Sequence, residues 1–257
     1  MNKPANISPD DKLIVSKVFD AVRSAERQYT EKTVGFLDPH QVRVASAEIA
    51  GEIPPDLKTE FFGGYDEAER CMFICCPEYI EPDYDSLISV LEITGRNIAD
   101  LSHRDYLGSL MGLGIKRENI GDILPFDDKC LVFVRPEMAG YIIDNLTKIG
   151  RHGISIRSVV LSNTSIPKKK TQFLRETVSS LRLDCVVSAA LNISRSKAAE
   201  LIKAERVNLN FETAKSVSCI VGEGDLISVR SFGRFKLTEI CGITRKGRNS
   251  IIIEKYI

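Results

Sequence analysis

The spacing of apolar residues predicts a small α/β domain at the start of the chain. Residues 8–29 carry apolar side chains at the spacing of one helix face, at Leu13, Ile14, Val18, Val22 and Ala25. This three-to-four spacing predicts an amphipathic helix. A second helix is predicted over 42–49, and two strands over 58–62 and 70–76 are separated by a glycine pair that favours a turn. Residues 1–85 therefore form the first predicted domain.

Residues 86–162 show the order βαββαβ. The predicted strands are 88–93, 120–124, 131–134 and 154–161, and the predicted helices are 103–113 and 136–149. Ser102 and Asp105 have the spacing of a capping box at the start of the first of these helices. The order is that of a ferredoxin-like fold, which RNA-recognition-motif domains share with unrelated proteins. The third strand lacks the stacking aromatics of such a motif, so we do not expect base stacking on the strand face.

The last third of the chain changes in character. Residues 163–180 combine polar residues, Pro167 and three consecutive lysines, which indicates a basic linker. After it, residues 181–257 begin with two short helices in a tight hairpin. Strands are predicted over 207–211, 225–230, 234–239 and 250–253. The complete prediction is an α+β fold with an N-terminal α/β domain, a ferredoxin-like domain and a C-terminal domain that ends in a β extension.

Charge is segregated along the chain, although the net charge is 0. Residues 1–85 carry 9 Lys and Arg against 17 Asp and Glu, residues 86–167 carry 9 against 9, and residues 168–257 carry 17 against 9. The acidic start and basic end favour a polyanion partner for the C-terminal domain, with nucleic acid the leading class. The acidic N-terminal domain is a candidate surface for a protein partner.

Several protein classes are excluded by simple patterns. The longest apolar run spans residues 71–76, whereas about 20 residues are needed to cross a bilayer, so we expect no membrane span. No secretory signal is visible, and the 7 cysteines form no C-x-x-C pair. A disulfide framework, a metal site and a cofactor are therefore not predicted, and a reducing cytoplasm fits best. We expect a monomer.

The candidate RNA-binding residues are cations, amides and a hydroxyl of the C-terminal domain. They are Arg182, Asn192, Ser194, Arg195, Lys197, Lys203, Arg206, Asn208, Lys215, Arg230, Arg234, Lys236, Lys246 and Arg248. Arg195 and Lys197 stand at the start of the second helix, whose free amides and dipole attract phosphate. Because cations at that position oppose the helix dipole, we expect them to face an external anion. Asn208 is suited to donate to phosphate or to a ribose 2′-hydroxyl.

Four motifs of this domain strongly resemble the alpha-L RNA-binding domain, first recognised in ribosomal small-subunit protein four. They are Arg182-Leu183-Asp184, Asn192-Ile193-Ser194-Arg195-Ser196-Lys197-Ala198, Val207-Asn208-Leu209-Asn210 and Gly224-Asp225-Leu226-Ile227. They occur in order and cover roughly residues 181–241. The resemblance implies an RNA-binding module.

Motifs along the whole chain resemble the YlmH family. Among them are Phe62-Gly63-Gly64-Tyr65 with Ala68-Glu69-Arg70, His103-Arg104-Asp105-Tyr106-Leu107-Gly108, Ile120-Gly121-Asp122-Ile123, and Phe232-Gly233-Arg234-Phe235. The resemblance implies a non-catalytic protein that binds rRNA or tRNA on the ribosome, with a part in ribosome-associated quality control for some members. Ser231 stands where the family resemblance implies glycine, which leaves the backbone of that loop open.

The alternative is an RNA-modifying enzyme, either pseudouridine synthase-like or a methyltransferase, with its active site in residues 1–162. Arg182-Leu183-Asp184 is similar to the catalytic aspartate motif of pseudouridine synthases. However, the expected glycine context is replaced by Ser180-Leu181, and only about 70 residues follow Asp184, whereas a catalytic domain of that class needs about 150. We expect Asp184 to lie in the first turn of a helix instead. No catalytic residue is predicted.

Overall fold

The computed structural model describes residues 8–164, 166 and 171–256. The chain folds as two compact units, Met1–Ile166 and Pro167–Ile257. The α+β fold class is confirmed, since both units combine helices with antiparallel sheets. None of the helices in these described ranges is long and apolar enough to cross a membrane.

The first half of unit 1 is a three-stranded sheet under two helices. Its elements are α1 (Pro9–Gln28), β1 (Lys32–Leu37), α2 (Pro39–Ile49), β2 (Leu57–Phe62), β3 (Cys71–Pro77) and a short α3 (Tyr84–Leu87). The sheet order is β1-β3-β2. Pattern analysis missed β1, because its last four residues are all buried and therefore do not alternate between apolar and polar.

The second half of unit 1 has the predicted ferredoxin-like topology. Its elements are β4 (Ser89–Gly95), α4 (His103–Gly112), β5 (Ile120–Pro125), β6 (Cys130–Val134), α5 (Pro136–Asn145), β7 (Lys148–Ile149) and β8 (His152–Val159). The sheet order is β5-β6-β4-β8-β7. The helix predicted over 136–149 ends at Asn145. The last two residues of the predicted range, Lys148 and Ile149, form the edge strand β7 instead. The capping interaction is confirmed, because the Asp105 carboxylate accepts from the Ser102 amide at 2.8 Å.

Both faces of the sheet around β4 and β6 are buried. Leu91 and Val132 pack under α4 and α5 on one face. On the opposite face, Val90 and Phe133 pack against Phe36 and Met72 of the N-terminal sheet. RNA-recognition-motif domains bind bases on this second face. The structure gives a physical reason to expect no base stacking there, because the N-terminal sheet covers this face.

A buried polar cluster fastens the two halves of unit 1. The Asp122 carboxylate accepts from the Tyr65 hydroxyl at 2.7 Å and from the backbone amides of Glu69 and Arg70 at 2.8 and 3.0 Å. Arg70 in turn donates to the Phe36 carbonyl at 2.6 Å. Burial, together with the Asp122 charge, raises the pKa of Tyr65, which keeps its hydroxyl a donor. Motifs on which the family resemblance rests therefore have an architectural role.

Gly64 and Gly121 allow this close packing. Gly64 has a φ of +100°, and a Cβ there would lie 2.7 Å from the Phe133 ring. A Cβ on Gly121 would lie 2.7 Å from the Phe36 ring. Only glycine permits the two sheets to approach this closely.

Unit 2 is a six-stranded sheet with two helices on one face. Its elements are β9 (Thr171–Val178), α6 (Leu183–Leu191), α7 (Arg195–Lys203), β10 (Val207–Leu209), β11 (Glu212–Thr213), β12 (Leu226–Val229), β13 (Gly233–Ile243) and β14 (Asn249–Tyr256). The sheet order is β11-β10-β12-β13-β14-β9. Val186 and Leu201 of the helices pack on Ile227, Phe235 and Ile251.

The predicted linker 163–180 is wrong for its second half. Residues 171–178 form β9, which pairs with β14 along its whole length. The lysine run obscured this strand, whose hydrogen-bonding partner lies more than 70 residues away in sequence. The run Lys168-Lys169-Lys170 lies outside the described residues. The boundary predicted between residues 85 and 86 falls inside unit 1, and the division of that unit into two domains stays a prediction.

Candidate nucleic-acid interface

The turn between α6 and α7 is the predicted tight hairpin. Asn192 ends α6 with a φ of 52°, and the Ser188 hydroxyl donates to the Ile193 carbonyl at 2.6 Å. Ser194 caps α7, because its hydroxyl accepts from the Lys197 amide at 3.2 Å. These bonds fix the turn and leave Asn192, Arg195 and Lys197 exposed beside one another.

Asp184 organises the arginines of the hairpin. It lies in the first turn of α6 as expected and is 4% exposed. Its carboxylate accepts from Arg182 Nε at 3.1 Å and from Arg195 Nε at 2.8 Å. Burial by itself raises the pKa of Asp184, but the two arginines outweigh burial and lower it below the ordinary value. The carboxylate is therefore ionised at neutral pH.

Arg195 and Lys197, which we expect to face an external anion, also have carboxylate partners within the protein. Arg195 bonds to Asp184, and Lys197 Nζ bonds to the Glu200 carboxylate at 2.9 Å. Both cations therefore have a carboxylate partner within the protein, and their unfavourable position on the helix dipole is offset internally. Arg195 bonds to Asp184 through Nε alone, so only one edge of its guanidinium group is engaged. Its terminal nitrogens make no hydrogen bond to any residue that the structure describes.

A groove of about 350 Å³ runs beside the hairpin. We call it the α6–β9 groove, and its polar lining consists of Glu176, Thr177, Ser179, Ser188, Asn192, Arg195 and Arg248. Arg248, at the start of β14, is placed by a bond from Nη2 to the Thr177 carbonyl at 2.6 Å. Two arginines from distant parts of the sequence thus line one groove, together with hydroxyl and amide groups suited to phosphate and ribose.

The outer face of the sheet carries a second group of candidates. Asn208 pairs with Ser228, and Ser228 pairs with Arg234, so their side chains lie in one row across three strands. Lys236 is two residues further along β13 and therefore on the same face. This face is opposite to the helices, so the row is separate from the α6–β9 groove.

Comparison with known proteins gives matches along the chain. The family described as "Putative RNA-binding domain in YlmH" matches residues 81–163, and the S4 domain matches residues 181–227. The chain is 34% identical over 252 residues to "Ribosome-associated protein quality control protein P2" of Bacillus subtilis (strain 168), covering 96% of this chain and 95% of the relative. The chain belongs to the YlmH family. The expected family is thereby confirmed.

A solved structure shares the fold of this YlmH-family chain. It is "Cell division protein ylmH from Streptococcus pneumoniae", at a TM-score of 0.52 and 22% identity. The match covers 63% of this chain and 98% of the solved one. At this identity the likeness concerns the fold alone.

The remaining candidates of this YlmH-family chain lie outside the groove and the outer row. Arg206 Nη2 donates to the Arg230 carbonyl at 3.2 Å, which brings these two residues together near the β12–β13 turn. Lys203 ends α7, Lys215 follows β11, and Lys246 lies in the β13–β14 turn. The structure therefore gathers only Asn192, Arg195 and Arg248 of the 14 candidates around the groove.

Sequence reasoning missed the β9 wall of the groove. Thr177 of β9, Ser179 just after it and Ser188 of α6 line the groove, and none of them was a candidate. The usable signal was the even spacing of the apolar residues Leu174 and Val178, which places both on one face of a strand and which the neighbouring lysines masked. Ser231 has a φ of +73°, a conformation that favours the glycine implied by the family resemblance.

The cysteines are placed as the strand alternation indicates. Cys75 and Cys76 are buried neighbours on β3, so their side chains point to opposite faces. Burial raises the pKa of Cys75 to about 11, so the group is a neutral thiol at physiological pH. The described part of the chain holds no group of three or more His, Cys, Asp or Glu side chains able to share a metal ion.

Proposed function

We propose that this chain is a non-catalytic RNA-binding protein that acts on the ribosome in the cytoplasm. Its ligand is rRNA or tRNA, and the RNA backbone binds in the α6–β9 groove. The observation that carries the proposal is the position of Arg195 and Arg248 on one polar groove of the S4-type unit. Guanidinium groups bind phosphate oxygens through paired hydrogen bonds.

The internal partners of the arginines support this role. Asp184 holds Arg195 through Nε, and the Thr177 carbonyl holds Arg248 through Nη2. Both side chains are exposed at the surface, and each is oriented by a hydrogen bond within the protein. A cation that is already oriented loses less conformational freedom when it binds phosphate. The excess of 17 Lys and Arg over 9 Asp and Glu in residues 168–257 adds a long-range attraction.

A role in ribosome-associated quality control rests on the relative. The Bacillus subtilis protein carries that role in its name and is similar along nearly its whole length. The chemistry of the unit agrees with a binding role, because Asp184 is buried and engaged by two arginines. A catalytic aspartate needs access to the base that it attacks.

The test is binding of the full chain to purified large ribosomal subunits and to total tRNA at several salt concentrations. We expect Arg195→Ala with Arg248→Ala to weaken binding about tenfold or more and to flatten the salt dependence, by about 0.7 to 0.9 log units of affinity per log unit of salt for each lost phosphate contact. The matched control is Lys12→Ala with Arg27→Ala, two exposed cations of α1. Equal affinity of both double variants would contradict the proposal.

The catalytic alternative has its own test. Digested rRNA and tRNA from cells with and without the protein are compared by mass spectrometry. We expect the same modified nucleosides in both samples. A modification that disappears in the deletion and returns with purified protein would establish an RNA-modifying enzyme instead.

A further inference from the structure

The free cations of the ferredoxin-like half are concentrated at one end. Residues 86–162 carry 9 Lys and Arg side chains. Four of them are engaged internally: Lys129 and Arg157 bond to Glu92, Arg135 bonds to Glu137, and Arg117 bonds to backbone carbonyls. Burial lowers the pKa of Arg117 to about 10, so it remains charged inside the protein.

Five cations of this half form no ion pair or hydrogen bond with the residues that the structure describes. They are Arg96, Arg104, Lys116, Lys148 and Arg151, and all are exposed. Four of the five lie at the end of the sheet that contains the last residue of β4 and the turn between β7 and β8. We call Arg96, Arg104, Lys148 and Arg151 the basic end. Lys116 lies beyond the other end of α4.

Several contacts bring the basic end together. Gly95 pairs with Ile154, and the His152 ring nitrogen Nδ1 lies 3.4 Å from the Arg96 carbonyl oxygen. The turn after β4 and the β7–β8 turn, which contains Arg151, are therefore neighbours. Arg104 lies in the first turn of α4, and α4 packs against β7, the strand that contains Lys148.

Carboxylates also lie at this end of the sheet. Asp100 lies in the segment that joins β4 to α4, Asp105 in the first turn of α4 and Asp144 in the last turn of α5. Asp127 and Asp128 lie at the same end of the sheet, in the β5–β6 turn at its other edge. Asp105 is occupied by the Ser102 amide and hydroxyl at 2.8 and 2.7 Å. The pKa of Asp105 is lowered, chiefly by these bonds. Near β7, β8 and the start of α4, four exposed cations accompany the carboxylates of Asp100, Asp105 and Asp144, and Asp105 is already bonded to Ser102. The local excess of positive charge attracts phosphate.

The sheet face cannot serve instead. Val90 and Phe133, on the face where an RNA-recognition motif stacks bases, are buried under the N-terminal sheet. The family that matches residues 81–163 is nevertheless described as "Putative RNA-binding domain in YlmH". An RNA ligand of this half therefore needs another surface, and the basic end offers four exposed cations without an internal partner.

We propose that the basic end is a second RNA-binding surface, which contacts the phosphate backbone of a structured RNA. Its four side chains are cations without an aromatic among them, which suits phosphates better than unstacked bases. The proposal rests on the proposed function in one respect, that RNA is the ligand. It makes the chain a two-site RNA binder, with one site in each unit.

The test uses the full chain, with purified large ribosomal subunits and total tRNA as separate probes. Arg96→Glu with Arg151→Glu reverses two exposed charges in turns. We expect affinity to fall about tenfold or more, and the salt dependence to flatten by about 0.7 to 0.9 for each lost contact. The matched control, Lys12→Glu with Lys116→Glu, changes the net charge equally, and we expect its affinity to stay within about twofold.

Two kinds of outcome decide against the proposal. Unchanged affinity, or a loss equal to that of the control, would overturn it. A loss of affinity without a change in salt slope would assign the basic end to a protein or other uncharged contact. If the melting temperature falls in Arg96→Glu with Arg151→Glu, the milder pair Arg104→Gln with Lys148→Gln repeats the measurement. Arg195→Ala with Arg248→Ala, measured in parallel, separates the two proposals because it reports only on the α6–β9 groove.

Discussion

The sheets of the two units differ in how many of their faces are open to solvent. In unit 1 the ferredoxin-like sheet is covered on both faces, by α4 and α5 on one side and by the N-terminal sheet on the other. In unit 2 helices cover one face only, and the opposite face presents Asn208, Arg234 and Lys236. A ferredoxin-like topology therefore does not locate an RNA site. Which surface remains open after packing decides where RNA can bind.

The largest expected effect follows from removing a buried aromatic ring from the covered face of the ferredoxin-like sheet. Phe133 is 0% exposed and packs against Tyr65, with ring centroids 5.4 Å apart. We expect Phe133→Ala to lower the free energy of unfolding by about 3 to 5 kcal/mol, because it leaves a cavity between the two sheets. Urea unfolding followed by circular dichroism measures it.

The matched substitution lies on the open face. Asn208→Ala removes a polar side chain from the outer row of unit 2, and we expect a change of about 0.5 kcal/mol or less. Similar losses for both variants would mean that the two sheets do not differ in accessibility as described.

The ion pairs of Asp184 provide a second test of stability, within unit 2. We expect Asp184→Asn to lower the free energy of unfolding by about 1 to 3 kcal/mol at pH 7, since the arginines lose a charged acceptor. The pKa of Asp184 is lower in the folded protein than in the unfolded chain. Its stabilisation is therefore present above the unfolded value of about 3.9 and is lost as pH falls through the folded value.

The pH dependence provides the check on Asp184. Unfolding of both proteins is measured from pH 7 down to about pH 3, and we expect the difference between them to shrink on acidification. A difference that grows at low pH would show that the arginines do not stabilise the carboxylate.

A smaller effect than that of Asp184→Asn is expected in the turn that leads into β13. Ser231 has a φ of +73°, which costs an L-residue about 1 to 2 kcal/mol. We expect Ser231→Gly to raise the free energy of unfolding by about 0.5 to 1 kcal/mol, because glycine adopts this conformation without a Cβ clash. Ser228→Gly on β12 is the control and should lower stability, since glycine weakens a strand. Thermal melts distinguish the two directions.

Local patterns predicted the elements that depend on neighbours in sequence. The capping residues Ser102 and Asp105, the α6–α7 hairpin and the βαββαβ order all follow from spacing within short windows. Buried strands without alternation escaped prediction, as β1 shows. So did β9, whose partner β14 lies far along the chain, because no local pattern records which distant strand supplies the hydrogen bonds.

The candidate site divides in the same way. The sequence by itself determined the family, the segregation of charge and the identity of the cations in unit 2. Only the tertiary structure decided that Arg195 is held by Asp184, that Arg248 meets it across a groove built on β9, and that the ferredoxin-like sheet is closed by Phe36 and Met72. The physical reason is that charge and periodicity belong to single residues and short windows, whereas ion pairing and burial depend on which distant surfaces meet.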